Sequence, residues 1–556
     1  MASMRLRKFL SLGVLTTALA CGAEAPPHSD GADAPEAASP AGTGPAEWVA
    51  RPEGPSLSDH VTRIARERAG RPWRPRERRI GEAVSALTYG QMRGIRFRRD
   101  SAVWRGTAPF ELQFFHPGGG NDLPVTVHLV EEGRSAEWPF RSGDFQYGDE
   151  VRGMTLDVPP EAGYAGFRIL HPMNDPDRMD EIVSFLGASY FRLLGPGHVY
   201  GLSSRGIAVG VAGPEAEEFP DFVEFWVVKP GPEDTSLVFH GLLDGPSLTG
   251  AYRFELLPGD AAGDRGTVLE VEARLFARRD IDRLGVAPLT SMYLHGTFRP
   301  GGDDDVRPRV HDSEGLLMHT SRDEWIWRPL TNRDGVQVTG LRDVNPRGFG
   351  LVQRDRDFDN YLDLETRYDR RPSEWVAARG EWGPGGVELV EISTASEFAD
   401  NIVAYWSPDG GMAAGEERRY RYALVTFDDR LPDVELEGLE VEGQGLAGVI
   451  RTRIGWDALP GQADPPPRSR RRILVDFRGG GLDSLPSDAV VDAVATTTSG
   501  TLEDVRVLSL PGGGRRATLV LRPDVDRPAD LRLHLQVGDS VLTETWSYLW
   551  TPPRDR

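Results

Sequence analysis

Three acidic clusters carry the side chains best suited to chemistry. The first is His311-Asp312-Ser313-Glu314. The second runs from Gln353 through Arg354, Asp355, Arg356 and Asp357 to Phe358, and continues to Tyr361 and Asp363. The third is Glu397-Phe398-Ala399-Asp400-Asn401, directly before the apolar run Ile402 to Trp406. Carboxylates that come in pairs can cleave a glycosidic bond: one protonates the leaving oxygen, the other activates water or attacks carbon. Aspartate is also a common turn and capping residue, so spacing alone leaves each cluster open to both uses. Trp325, Trp327, Trp375, Trp382 and Trp406 sit beside polar residues. Their flat faces could stack on sugar rings or fill a core. The run Gly301 to Asp305 reads as a cation loop or a solvated turn.

Other chemistries lack their signatures. There is no Walker A motif, no Gly-x-Ser-x-Gly elbow, no His-Glu-x-x-His and no Gly-x-Gly-x-x-Gly after a strand. Gly195-Pro-Gly-His-Val-Tyr-Gly201 has the wrong spacing and reads as a turn. Cys21 is the only cysteine, which excludes disulfides, thiolate metal clusters and a cysteine nucleophile in the folded body. No cofactor or metal is expected. The net charge of −21 disfavours a duplex nucleic-acid partner.

The elements that must position these residues read as strands. The chain has 556 residues with 64 glycines and 43 prolines, a composition suited to many strands joined by tight turns. Period-two alternation marks Phe110–Phe115, Val125–Val130, Phe222–Val228, Ser236–His240 and Val268–Phe276. Helices are scarce. Val61, Ile64 and Ala65 predict one within Leu57 to Gly81, and Asp180–Phe185 is a short second candidate. After Phe427-Asp-Asp-Arg-Leu-Pro432 the composition shifts. Arg472–Phe477, Val505–Leu510, Arg516–Leu521, Leu531–Leu535 and Val541–Trp546 then read as strands of an immunoglobulin-like sandwich. The chain therefore reads as all-β, with a large antiparallel sandwich over 57–430 and a small sandwich over 431–556.

The N-terminus reads as an export signal. Arg5, Arg7 and Lys8 precede an apolar stretch from Phe9 to Ala20, too short to span a bilayer. Ala18-Leu19-Ala20-Cys21 is the expected lipidation site at the end of a lipoprotein-type signal peptide, 1–21. Residues 22–56 are rich in Ala, Pro, Gly and Asp and read as a disordered tether. The expected location is the periplasm, with the membrane reached through the lipid on Cys21. Gly22 rather than Asp after the cysteine leans toward the outer membrane.

Long blocks of the chain are similar to one family. Phe110-Glu-Leu-Gln-Phe-Phe-His-Pro-Gly118, Phe185-Leu-Gly-Ala-Ser-Tyr-Phe-Arg192, Leu243-Asp-Gly-Pro-Ser-Leu-Thr-Gly250 and Glu324-Trp-Ile-Trp-Arg-Pro-Leu330 resemble the periplasmic glucan biosynthesis proteins G and D (MdoG/OpgG/OpgD). Asn345-Pro-Arg-Gly-Phe-Gly350, Arg370-Arg-Pro-Ser373, Asp400-Asn-Ile-Val-Ala-Tyr-Trp406 and Glu544-Thr-Trp546 continue the match. The resemblance implies a galactose-mutarotase-like β-supersandwich followed by the immunoglobulin-like domain. It also implies a role in making osmoregulated periplasmic glucans, whose backbone is β-1,2-linked glucose, and an inverting endo-β-1,2-glucanase activity. Asp312 and Asp400 are then the catalytic pair: Asp400 the general acid, Asp312 the base acting directly or through waters, with the roles open to exchange. Trp325, Trp327, Arg354, Asp355, Asp357, Tyr361, Tyr368 and Glu397 are the expected glucan contacts. Glu314 stands where the family has aspartate. The implied partners are a β-1,2-glucan and a glucan synthase. The alternatives are a weakly active scaffold that guides nascent glucan, and a transglycosylase on the same chain.

Overall fold

The computed structural model describes residues 48–50, 56–260, 265–297, 304–436, 438–458, 460–486, 488–524 and 527–552. Cys21 and the expected tether lie outside the described residues, apart from Trp48, Val49, Ala50 and Ser56. The architecture is all-β and sandwich-like. The chain forms two compact units. One comprises residues 1–290, 364–366 and 405–426; the other comprises 291–363, 367–404 and 427–556.

The first unit is built from two sheets. In one, the order is Arg134–Glu137, Thr126–Glu131, Asp221–Val228, Leu237–Asp244, Leu248–Leu257, Val268–Ala277 and Glu417–Phe427. In the other it is Leu284–Ser291, Ser203–Arg205, Tyr190–Leu193, Arg178–Leu186, Gly166–Asp175 and Glu111–Phe115. Phenylalanines from alternate positions meet between them: Phe185 lies 5.1 Å from Phe225 and 5.6 Å from Phe239, ring centre to ring centre. Burying such rings from both faces is the main cohesive term. The expected helix forms over Leu57–Ala69, capped by Ser56, whose hydroxyl accepts from Asp59 N at 3.1 Å. Its Val61 and Ala65 are fully buried against Trp226, Leu242 and Phe276.

The second expected helix does not form. Asp180–Phe185 lies within the Arg178–Leu186 strand, paired on both sides. Ile182, Val183 and Phe185 are buried, and a short apolar run fits a doubly covered strand as well as a helix.

In the second unit, Gly315–His319 pairs with Trp325–Pro329 on one side and Gly348–Val352 on the other. Ser373–Arg379 follows Gly348–Val352. Trp325–Pro329 continues in parallel to Thr545–Trp550, then Ala529–Val537 and Asp492–Thr497. A four-stranded sheet of Gly448–Trp456, Arg471–Arg478, Arg515–Arg522 and Thr501–Ser509 completes the C-terminal strands. Glycine is required where indoles lie flat on the sheet. A Cβ at Gly348 would sit 2.5 Å from the Trp375 ring, and one at Gly315 would enter the Trp327 ring. The expected strand Val541–Trp546 is interrupted: Ser540–Val541 and Thr545–Trp550 are separate.

Candidate functional site

All the acidic clusters lie in the second unit. A short hairpin, Tyr293–His295 with Val310–His311, delivers Asp312 at its end. The Asp312 amide donates to Met292 O at 2.8 Å. His311, just before it, is buried and stacks on Tyr293, with Tyr361 at its edge. Gln353 locks this strand: Nε2 donates to His311 O at 2.9 Å and to Tyr368 O at 3.1 Å, while Oε1 meets His311 Nδ1 at 2.9 Å. Burial pushes the His311 imidazole down to about 3, so it stays neutral.

Asp400 is half-buried and precedes the Ile402–Pro408 strand. Its neighbour Asn401 is the anchor. Asn401 Oδ1 accepts from Tyr293 N at 2.8 Å, and Nδ2 donates to Tyr293 O at 3.1 Å and Ile392 O at 2.8 Å. Asp312 and Asn401 are therefore fastened to consecutive residues, Met292 and Tyr293. Segments separated by 89 positions in sequence are thus tied to adjacent residues by hydrogen bonds to the backbone.

The carboxylate environments differ. Asp312 is 5 % exposed and forms an ion pair with Arg371. Arg371 lies over the Tyr368 ring, 4.1 Å from its centre. The Tyr368 hydroxyl donates to Glu397 Oε2 at 2.8 Å, and Glu397 also receives Arg307 Nη1 at 2.7 Å. Arg307 reaches Asp363 at 3.0 Å and Asp305 at 2.9 Å, which holds the Asp305 carboxyl below its ordinary range. Burial raises the Tyr368 phenol, so it remains a donor. The result is a continuous charged network from Asp312 through Arg371, Tyr368 and Glu397 to Arg307.

The other expected contacts divide. Asp357 is exposed and caps a short turn, accepting from Asp359 N at 3.1 Å. Asp355 accepts from Asn360 Nδ2 at 2.9 Å and pairs with Arg309. Tyr361 is fully buried, with its hydroxyl on Asp355 O at 3.1 Å. Trp325 and Trp327 do not offer open faces. Trp325 is buried between His319, at 4.0 Å, and Trp375, at 5.6 Å. Trp327 is buried under the Arg354 guanidinium at 3.6 Å. Trp375, Trp382 and Trp406 are buried too. The expectation of indole stacking platforms is corrected on that ground: these rings are core. Arg354 is likewise committed, to Glu544 at 2.6 and 2.8 Å and Val449 O at 2.7 Å.

Glu314 is also structural. It accepts the amides of Arg354 at 3.0 Å and Asp355 at 2.8 Å, and burial pushes its carboxyl up. Sequence reasoning missed Arg307 and Arg371, the two cations that organise the carboxylates. The only signal was their position beside acidic segments: Asp305 two residues before Arg307, and Arg371 within the Arg370-Arg-Pro-Ser373 block. Among the described residues, His319, Asp323 and Glu442 could present metal-ligand atoms within 4.8 Å of one another. Arg347 Nη1 already bonds Asp323 at 2.8 Å and Glu442 at 3.0 Å, so a cation occupies that position.

Residues 57–550 match the sequence profile of the family described as periplasmic glucan biosynthesis protein, MdoG. Among solved structures, the chain is similar to the GH36 alpha-galactosidase AgaA from Geobacillus stearothermophilus, at 11% identity and a TM-score of 0.21. That alignment covers 44% of this chain and 30% of the galactosidase, so it spans less than a third of that enzyme's length.

Proposed function

Because the chain belongs to the periplasmic glucan biosynthesis family, MdoG, we propose that it is an inverting endo-β-1,2-glucanase acting on the glucan backbone. The observation that carries this reading is the shared anchoring of Asp312 and Asn401 on Met292 and Tyr293. It supports a reading in which Asp312, 5 % exposed, and Asp400, half-buried, act together from unlike environments, as an acid and base pair requires. Asp312, paired with Arg371, is the base. Asp400, half-buried beside Asn401, is the acid that protonates the glycosidic oxygen. An inverting pair stands about 6.5–9.5 Å apart to admit the attacking water. Half-buried Glu397 and exposed Asp357 supply hydrogen bonds to sugar hydroxyls, while buried Tyr368 holds Glu397 in place.

A second reading, a weakly active scaffold for nascent glucan, is favoured by one observation. Asp312 is 5 % exposed, so a water must reach it through a relay, and a poor relay slows turnover. Transglycosylation on the same chain is a further outcome. Incubation with linear β-1,2-glucan separates these readings. Shorter oligosaccharides released with inverted anomeric configuration support the hydrolase; binding without cleavage supports the scaffold. We also propose that Cys21 carries a lipid that tethers the protein at the periplasmic face of the membrane, the outer membrane in preference, within reach of a glucan synthase. Among the described residues no helix is long and apolar enough to cross a membrane.

A further inference from the structure

The first unit carries a cationic segment in a chain whose net charge is −21. Between Arg63 and Arg79 stand eight arginines against two glutamates, Glu67 and Glu77. The first part of this segment lies in the helix Leu57–Ala69, and its arginines are committed. Arg63 pairs with Glu67 at 2.7 Å, Arg66 with Glu417 at 2.8 Å and Arg68 with Asp244 at 3.1 Å. The second part, residues 71–79, is neither helix nor strand, and is exposed at every position except half-buried Arg76. Pro72 and Pro75 stiffen this strip, because each fixes φ. The body of the unit pins it in place. Arg278 Nε donates to Arg71 O at 3.1 Å, Arg76 pairs with Asp221 at 3.3 Å, and Arg78 with Asp122 at 3.0 Å. Ile80, at its end, is buried in one cluster with Val84 and Leu87.

The strip presents an unusual set of side chains to solvent. Of the chain's 13 tryptophans, Trp73 is the only exposed one among the described residues. Exposed Arg71 and Arg74 flank it, and neither has a carboxylate partner among the described residues. Arg79 donates to a carbonyl, Glu161 O, at 2.9 Å. Unneutralised cations in an acidic protein, held on a stiff segment around an indole, exceed what a solvated turn requires. They fit an anionic lipid surface: headgroup phosphates attract the guanidiniums, and an indole settles at headgroup level. A protein of a periplasmic family meets such surfaces. The indole favours a bilayer over a soluble polyanion, because the lipid interface also offers an apolar layer.

We propose that residues 71–79 are a docking surface for anionic phospholipid. Arg71, Arg74 and Arg79 lie against the headgroups, and the Trp73 indole sits among them. The inference goes beyond the glucan reading and does not need a lipid on Cys21.

The test is vesicle flotation of residues 21–556 carrying Cys21→Ala, so that neither signal peptide nor acyl chain contributes. The vesicles are equal parts phosphatidylglycerol and phosphatidylcholine, or phosphatidylcholine alone. The strip predicts binding to the anionic vesicles, little to the neutral ones, and weakening at about 1 M salt, where charges are screened. Each arginine at an anionic surface contributes about fivefold, so Arg71→Gln combined with Arg74→Gln should weaken binding roughly tenfold or more. Trp73→Ala should weaken it too. Thermal melting confirms that the variants are folded. Absence of binding, equal binding to both vesicle types, or parental binding by the folded double variant overturns the proposal. A comparable loss in Arg322→Gln, which removes an exposed cation of the second unit, would mean a net-charge effect and overturn it as well. So would retention on an immobilised acidic polysaccharide without vesicle binding, which would make the strip a polysaccharide site. None of these results bears on the glucan reading or on Cys21.

Discussion

A buried histidine in the first unit shows how one side chain can set a pH limit. His116 is 4 % exposed and enclosed by the rings of Phe140, Phe145 and Tyr147. Nδ1–H donates to Pro117 O at 2.7 Å, leaving Nε2 buried without a partner among the described residues. Burial pushes its imidazole down to about 4. In the unfolded chain it titrates near 6.5. Between those values the unfolded state binds the proton and the folded state does not. The stabilisation is therefore complete above about pH 6.5 and is lost as pH falls toward 4. Urea unfolding at pH 7.5 and pH 5 measures it. Wild type should lose on the order of 2 kcal/mol more than His116→Phe over that interval. Equal losses in the two proteins would contradict the assignment. At the candidate site, the legible part was the carboxylates, because clustered acids are visible in sequence. Arg307 and Arg371 were not, because an arginine's partner is a matter of folded geometry and this chain has arginines throughout.

At the level of elements, Glu544 explains both a success and a miss. Its side chain is fully buried and receives both Arg354 nitrogens, Val449 N at 2.6 Å and Gln444 Nε2. One carboxylate thus joins the turn after Gly348–Val352 to the start of Gly448–Trp456. Alternation correctly marked the strands on either side, since burial of one face leaves a period-two trace. It could not show the break between Ser540–Val541 and Thr545–Trp550, where the Glu544 side chain turns inward to the Arg354 guanidinium. Asp180–Phe185 failed for the opposite reason. A strand covered on both faces has no alternation, and its sequence resembles a helical segment. The same local chemistry yields a stability prediction. Glu544→Ala leaves Arg354 unpaired in the interior and should cost about 3–5 kcal/mol in urea unfolding. A cost under about 1 kcal/mol would mean that the pair behaves as a solvated surface contact.

For the whole molecule, the fold class was the most legible feature. Turn-rich composition and repeated alternation leave few architectures other than stacked sheets, and sandwich-like sheets are what form. The site was legible only through family likeness, because nothing in spacing selects Asp312 and Asp400 from the 85 acidic residues. The proposed tether is a whole-molecule property as well. Cys21→Ala should move the protein from the membrane fraction to the soluble periplasmic fraction, and unchanged partitioning would refute lipidation. The central claim is that Asp312 and Asp400 work as one acid and base pair on β-1,2-glucan. The most direct measurement follows new reducing ends from linear β-1,2-glucan with wild type, Asp312→Asn and Asp400→Asn in parallel, all confirmed folded. The account predicts cleavage by wild type and a loss of roughly 10²–10⁴-fold in each variant. Cleavage that survives both substitutions, or a wild type that binds the glucan and releases no new ends, would contradict it.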